Sequence, residues 1–176
     1  MRRLLYFLLL LATWTWSCKD GQPVLDEKKE VSAEVILGDP AYRAISYGGY
    51  RKLSRDTQPT IEELIEDMKL LSAAGIKLIR TYNVTRPHAA NTLKAIERLK
   101  VEDPSFEMYV MLGAWMDCQG AFTDGPDHSV EDTTANTAEI ARAIALAQKH
   151  PDIVKIIAVG NEAMVKWQAP YFVQPG

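Results

Sequence analysis

The fold is decided by the stretch Val154-Lys155-Ile156-Ile157-Ala158-Val159-Gly160-Asn161-Glu162. Its β-branched residues predict a buried strand, because branched side chains pack well in a sheet that is covered on both faces. A glycine ends the strand, and an amide and a carboxylate follow at once. In α/β barrels the active site forms at the carboxyl ends of the strands, so an acid at this position indicates a catalytic role.

Strands and helices alternate along the rest of the chain. Further strands are predicted at Ala44–Gly49, Ile76–Tyr82 and Met108–Gly113, and helices between Thr60 and Gly75, at Ala89–Lys100 and at Thr134–His150. The first helix opens on a capping box, since Glu63 follows Thr60 at the required spacing. Such alternation predicts parallel strands joined by helical crossovers, which defines the α/β class. The segment Trp115–Glu131 is predicted to be an insertion after the third strand.

Two architectures fit this alternation, a doubly wound open sheet and a (β/α)8 TIM barrel. No Gly-rich phosphate loop follows a strand, because Tyr47-Gly48-Gly49-Tyr50 does not match G-x-G-x-x-G. Residues of functional type instead follow the ends of all four strands: Tyr47, Arg80, Tyr82, Trp115, Asp117, Asn161 and Glu162. We therefore favour the barrel. A complete barrel has eight units in about 250 residues, so this chain is predicted to hold only the first four βα units, as a truncated half.

The amino terminus predicts export. Residues 1–17 have a basic head and a short apolar run, which is typical of a signal peptide and too short for a comfortable membrane span; an uncleaved anchor helix is the alternative. Ser17-Cys18 resembles the cleavage site of bacterial lipoproteins, although Thr15 stands where such sites usually carry Leu. We expect lipidation of Cys18, a polar tether over residues 18–38, and attachment to the bacterial cell envelope or surface. Otherwise the protein is periplasmic or secreted.

Composition excludes several classes of function. The net charge is −3 and no Lys/Arg stripe is interleaved with aromatics, so no nucleic-acid partner is expected. Two cysteines give no disulfide framework once Cys18 is lipidated. Cys118 is predicted to be a half-buried loop thiol rather than a nucleophile, because no Cys-His pairing is evident. The three histidines lack metal-ligand spacing, and we expect neither a metal nor a cofactor.

The strand-end residues indicate sugar chemistry. An amide such as Asn161 can hydrogen-bond a sugar hydroxyl while Glu162 protonates the glycosidic oxygen; alternatively, Glu162 is a surface carboxylate or a helix amino-terminal acid. Sugar rings can stack on the aromatic strand-end residues, for which core packing is the alternative. A charge at the end of a buried strand must be paired, so Arg80 is expected to contact an active-site carboxylate, or else to form a structural ion pair. Substrate contacts are therefore predicted for Tyr47, Arg80, Tyr82, Trp115, Asp117 and Asn161.

Four strand segments together resemble glycoside hydrolase family 17, whose members are (β/α)8 enzymes acting on β-1,3-glucans. These segments are Ala44-Ile45-Ser46-Tyr47-Gly48, Ile79-Arg80-Thr81-Tyr82, Val110-Met111-Leu112-Gly113 and Ile157-Ala158-Val159-Gly160-Asn161-Glu162. On this resemblance, residues 39–176 are the amino-terminal half of a glycosidase barrel, and its partner is a β-glucan polysaccharide or oligosaccharide.

The resemblance implies a retaining mechanism with two carboxylates about 5–5.5 Å apart. Glu162 would be the general acid and then the general base, as in an endo-glucanase. The nucleophile of the family is a Glu at the end of strand seven, which this chain lacks, so we expect the chain alone to be inactive. A β-glucan transglycosylase and a non-catalytic surface glycan-binding lipoprotein are the alternatives.

Overall fold

A computed structural model describes residues 30–161 of the chain. The predicted signal peptide, Cys18 and Glu162 lie outside the described residues. The helices are α1 (Ala33–Gly38), α2 (Ile61–Ala73), α3 (Pro87–Glu102) and α4 (Thr133–Lys149), and the strands are β1 (Arg43–Ser46), β2 (Ile76–Arg80), β3 (Tyr109–Ala114), β4 (Cys118–Gln119), β5 (Asp127–Glu131) and β6 (Val154–Val159). No helix within residues 30–161 is long and apolar enough to cross a membrane.

Local signals in the sequence account for most helix ends. The predicted capping box is confirmed, because the Thr60 hydroxyl accepts from the amide of Glu63 and the Glu63 carboxylate accepts from the amide of Thr60. Pro87 stands at the first position of α3, where its missing N–H costs no hydrogen bond. Asp132 caps α4 by accepting from the amide of Ala135 at 2.9 Å. Every strand and helix of the predicted alternation is present, and α1 and the β4–β5 pair are additional.

The barrel prediction is wrong. Strands β1, β2, β3 and β6 form one parallel sheet in that order, and among the described residues β1 and β6 do not pair with each other. The described residues thus form a small α/β domain with an open sheet. The doubly wound alternative does not fit either, because the strand order follows the chain and contains no reversal. A βα pattern cannot predict closure, since closure depends on pairing between the first and last strands.

The main core lies between the sheet and helices α2, α3 and α4. Alternate strand residues enter it, and they pack with apolar residues from all three helices: Ile79, Val110 and Leu112 from the strands, and Met68, Leu93, Ile96 and Ala143 from the helices. These helices therefore cover one face of the sheet, as right-handed crossovers in a sequential sheet require. We call it the helix face.

Helix α1 covers part of the opposite face. Its Ile36 is buried against Leu78 and Tyr109, which are neighbours in the β2–β3 register. The sequence placed residues 33–38 in the polar tether and the domain boundary at residue 39. The compact unit begins at Val31 instead. A helix of six residues with one buried side chain is too weak a signal to predict from the sequence.

The insertion after β3 contains a second, two-stranded sheet. Strands β4 and β5 pair antiparallel, with Cys118 opposite Glu131. Phe122, in the turn between them, adopts a positive φ of 63°. This backbone conformation is rare for a bulky residue.

The chain after β2 passes directly over Gly113 of β3. A Cβ atom at Gly113 would lie 2.4 Å from the carbonyl oxygen of Thr81 and 2.7 Å from the backbone of Tyr82. The same crossing is stabilised by a hydrogen bond from the amide of Gly113 to the Thr81 hydroxyl, 3.0 Å long and buried. Only glycine allows this approach, which places Tyr82 beside the end of β3.

We predict that Gly113→Ala destabilises the domain by about 1–3 kcal/mol, because backbone atoms have to move to admit the methyl group. Urea unfolding followed by circular dichroism measures the change. The matched control is Gly125→Ala, where a Cβ meets no atom within 4 Å, with an expected effect within about 0.5 kcal/mol. Equal unfolding free energies for the two variants would contradict the prediction.

Candidate functional site

Three of the predicted site residues meet at the carboxyl edge of the sheet. Arg80 ends β2, and its guanidinium donates a hydrogen bond of 2.9 Å to Oδ1 of Asn161, which follows β6. The guanidinium carbon also lies 5.7 Å from the ring centroid of Tyr82, in cation–π geometry. Since Leu78 packs with α1, strand alternation places Arg80 on the same face as α1, opposite the helix face. We call Arg80, Tyr82 and Asn161 the edge cluster.

The hydrogen bond orients the amide of Asn161. With Oδ1 occupied by Arg80, the two N–H donors of the side chain are directed elsewhere, and they remain suited to an acceptor such as a sugar hydroxyl. Asn161 is buried, so this orientation is held in a protected environment. Arg80 was expected to contact a carboxylate, but among residues 30–161 its side-chain hydrogen-bond partner is this amide. Glu162, the next residue, lies outside the described residues.

Tyr47 belongs to the helix side of the sheet. Its ring packs against the main core, and its hydroxyl donates to Asp67 of α2 at 2.6 Å. Arg51 donates to the other oxygen of the same carboxylate. Burial and the hydrogen bond to Asp67 raise the pKa of the Tyr47 hydroxyl. The structure thus does not bring Tyr47 into the edge cluster, and its predicted contact with substrate stays a prediction.

A cleft of about 600 Å³ is bordered by the first half of α4 and by loops that follow the strands. The loops after β1, β2 and β3, the β4–β5 turn and α4 all contribute to it. The lining residues are Arg55, Asn83, Thr85, Arg86, Trp115, Asp117, Phe122, Thr134, Ala135, Ala138, Glu139 and Arg142. Two of the predicted substrate-binding residues, Trp115 and Asp117, are therefore cleft residues. They form a group separate from the edge cluster.

Trp115 and Phe122 supply the aromatic wall of the cleft. Their ring centroids are 6.4 Å apart and the planes differ by 33°. The indole N–H of Trp115 donates to the Asp117 carboxylate at 2.8 Å. Burial raises the pKa of Asp117, while the bond from the indole acts in the opposite direction. Flat apolar faces next to polar groups are suited to a sugar ring, which has an apolar face and hydroxyls at its edge.

Helix α4 anchors this wall through two buried polar residues that the sequence interpretation missed. Asn136 donates to the carbonyl of Asp117 and accepts from its amide. Glu139, only 2% exposed, accepts hydrogen bonds from the amides of Val84 and Trp115, from the Thr85 hydroxyl and from Arg142. A signal was available, because Asn136, Glu139 and Ala143 occupy the buried face of the helix at helical spacing. Polar residues on a core-facing stripe need partners.

Cys118 differs from its prediction. It is fully buried, and its sulfur lies 3.6 Å from Nδ1 of His128 on the paired strand. Burial raises the pKa of the thiol, so it remains protonated and is a poor nucleophile despite the nearby imidazole. No group of three or more His, Cys, Asp and Glu residues in the described part of the chain is placed to hold a metal ion.

The Glu139 carboxylate should make stability depend on pH. Burial alone raises its pKa, but the hydrogen bonds from Thr85, Val84, Arg142 and Trp115 outweigh burial, and the pKa lies below its ordinary value of 4.5. The ionised form therefore stabilises the fold above pH 4.5, and this contribution is lost as the pH falls through the folded-state pKa.

We predict that Glu139→Gln lowers the free energy of unfolding by about 2 kcal/mol at neutral pH, and that the difference from wild type shrinks on acidification below pH 4.5. Denaturant unfolding at a series of pH values measures both quantities. A wild-type minus variant difference that stays constant through the acidic range would contradict the prediction.

Comparison with known proteins gives one informative match. No family model matches the chain, and no curated protein matches it. The crystal structure of an endo-laminarinase from Formosa Hel1_33_131 does match, with a TM-score of 0.79 and 64% sequence identity. The match covers 82% of this chain and 37% of that chain, so the chain spans little more than a third of the endo-laminarinase. Over the matched segment, the chain is related in sequence and fold to an endo-laminarinase.

Proposed function

We propose that this chain contributes to the hydrolysis of β-1,3-glucan. The observation that carries the proposal is the 64% identity to an endo-laminarinase over 82% of the chain, since laminarin is a β-1,3-glucan. The edge cluster supports it, because a buried, oriented amide next to an acid in sequence is suited to glycoside chemistry. The chain spans 37% of the endo-laminarinase. We therefore propose that it supplies some of the residues needed for hydrolysis and not the complete active site.

We assign the roles as follows. Asn161 donates from its amide to a hydroxyl of the sugar at the cleavage point, a contact that strengthens in the transition state. Glu162 protonates the glycosidic oxygen as the bond to the anomeric carbon breaks, and a second carboxylate attacks that carbon to form a covalent glycosyl intermediate. Glu162 then removes a proton from the water that releases the sugar. The configuration at the anomeric carbon is retained. We propose glycoside hydrolase family 17 as the family of this chain, since its members act by this retaining mechanism.

Arg80 holds Asn161 in this role. Its guanidinium occupies the carbonyl oxygen of the amide, so the amide presents donors to the substrate. Tyr82, against the same guanidinium, offers an aromatic face beside the edge cluster. In the cleft, Trp115 stacks on a sugar ring and Asp117 accepts from a hydroxyl. Tyr47 supports the strand end from the helix side through Asp67.

The test uses a chimera in which this chain replaces the matching segment of the Formosa endo-laminarinase. The wild-type chimera should release reducing ends from laminarin. Glu162→Gln should lower kcat by about 10²–10⁴-fold, which is the usual contribution of a general acid. The matched control is Glu34→Gln, at an exposed carboxylate on α1, which should leave kcat unchanged.

Two results would contradict the proposal. A folded chimera without activity on laminarin would exclude glucan hydrolysis by this segment. Undiminished turnover in the Glu162→Gln chimera would exclude the proposed acid/base. A chimera that binds laminarin tightly without cleaving it would favour the glycan-binding alternative.

We further propose that the protein is exported and lipid-anchored through Cys18. Cys18→Ser, expressed in a bacterial host that processes lipoproteins, should move the protein from the membrane fraction to the soluble fraction, because the acyl chains that hold it are lost. Fractionation and intact mass measure the change. The matched control is Cys118→Ser, at the other cysteine of the chain, which should stay with membranes; identical fractionation of the two variants would contradict the anchor.

A further inference from the structure

The carboxylate of Glu139 joins three separate parts of the chain. Oε1 accepts from the amide of Val84 at 2.6 Å, in the loop after β2, and from the amide of Trp115 at 3.2 Å, in the loop after β3. The side chain itself belongs to α4. One oxygen atom therefore links both loops to the helix at the level of the cleft.

The second oxygen binds one residue of the loop after β2 and one residue of the same helix. Oε2 accepts from the Thr85 hydroxyl at 2.6 Å and from the guanidinium of Arg142 at 2.9 Å. Arg142 also contacts the Thr85 oxygen at 2.9 Å, so these three side chains contact one another. The carboxylate is thereby fixed in direction, and the two backbone amides that it accepts from are fixed with it.

A second attachment lies one helical turn earlier. Asn136 binds the amide and carbonyl of Asp117, two residues after Trp115. The backbone of residues 115–117 is therefore held at both ends by α4. Within this segment the indole N–H of Trp115 donates to the carboxylate of Asp117. Beside it, Phe122 keeps a left-handed backbone conformation with its ring against Trp115. Strained backbone of this kind persists where the surroundings determine it.

We propose that Glu139 is a positioning residue for saccharide binding. It fixes the wall of the cleft that contains Trp115, because it accepts hydrogen bonds from backbone amides of both flanking loops. The inference rests on the proposed function, since that assigns Trp115 and Asp117 to the glucan. Although Glu139 borders the cleft, it is only 2% exposed and both carboxylate oxygens accept hydrogen bonds from protein donors, so we assign it to positioning the wall and not to binding the sugar. Its effect is preorganisation: a wall already held in its binding geometry loses less entropy when a ligand binds.

The test compares four forms of the full chain: wild type, Glu139→Gln, Glu139→Ala and Thr85→Val. Glutamine keeps an oxygen that can accept from the amides of Val84 and Trp115, whereas alanine removes every acceptor. Thr85→Val removes one hydrogen-bond donor to Glu139 and keeps the carboxylate. This variant replaces Glu139→Ala in the comparison if the alanine variant does not fold. Three quantities are measured: the melting temperature, the indole N–H resonance of Trp115, assigned with Trp115→Phe, and the Kd for a β-1,3-linked glucohexaose.

Glu139→Ala should shift the Trp115 indole resonance and weaken hexaose binding by about 10-fold or more, as loss of preorganisation predicts. Glu139→Gln should keep the wild-type resonance and bind within about 3-fold of wild type, which is rescue by the conservative variant. Thr85→Val should give an intermediate shift. These effects should appear in protein that still melts cooperatively.

Glu139 would be only structural if the alanine variant melted at a lower temperature but kept the wild-type resonance and Kd. Equal losses in the glutamine and alanine variants would also overturn the proposal, because charge and not acceptor geometry would then matter. If the wild-type chain does not bind the hexaose, the proposed function fails at this cleft. The indole resonance still decides whether Glu139 positions Trp115.

Discussion

Parallel pairing of β3 with β2 on one side and β6 on the other is the constraint on which the rest of the domain depends. In a parallel sheet all strands end at the same edge, so residues distant in sequence become neighbours there. Arg80 and Asn161 meet in this way, although 81 positions separate them. The pairing requires close approach of the backbone, and Gly113 provides it where the chain leaves β2. The edge cluster follows from the sheet, whereas the cleft requires the helices as well.

The sheet also divides the candidate site into two parts. Arg80 lies on the face opposite the helix face, where it contacts Asn161 and Tyr82. Trp115 and Asp117 line the cleft beside α4, whose lining includes none of the edge cluster.

Local features could be predicted from the sequence, and features that depend on distant pairing could not. The capping box at Thr60, the end of α2 near Gly75 and the strand Val154–Val159 agree with the structure because each has a short-range cause. Sheet closure has none, and the barrel prediction failed there. Arg80 was predicted to contact an active-site carboxylate; its partner among residues 30–161 is the amide of Asn161, and the carboxylate contact stays a prediction because Glu162 lies outside the described residues. The helical spacing of Asn136 and Glu139 indicates that they face the core and need partners, but which loops supply those partners could not be predicted from the sequence.

Helix α4 fixes the loops mainly through hydrogen bonds to their main-chain groups. Glu139 binds the amides of Val84 and Trp115, and Asn136 binds the amide and carbonyl of Asp117. Main-chain groups are present whatever the side chain, except at proline. The side chains at positions 115 and 117 can therefore change during evolution while the loop keeps its path. The residues that line the cleft can thus diverge among relatives without any change in the fold of the domain.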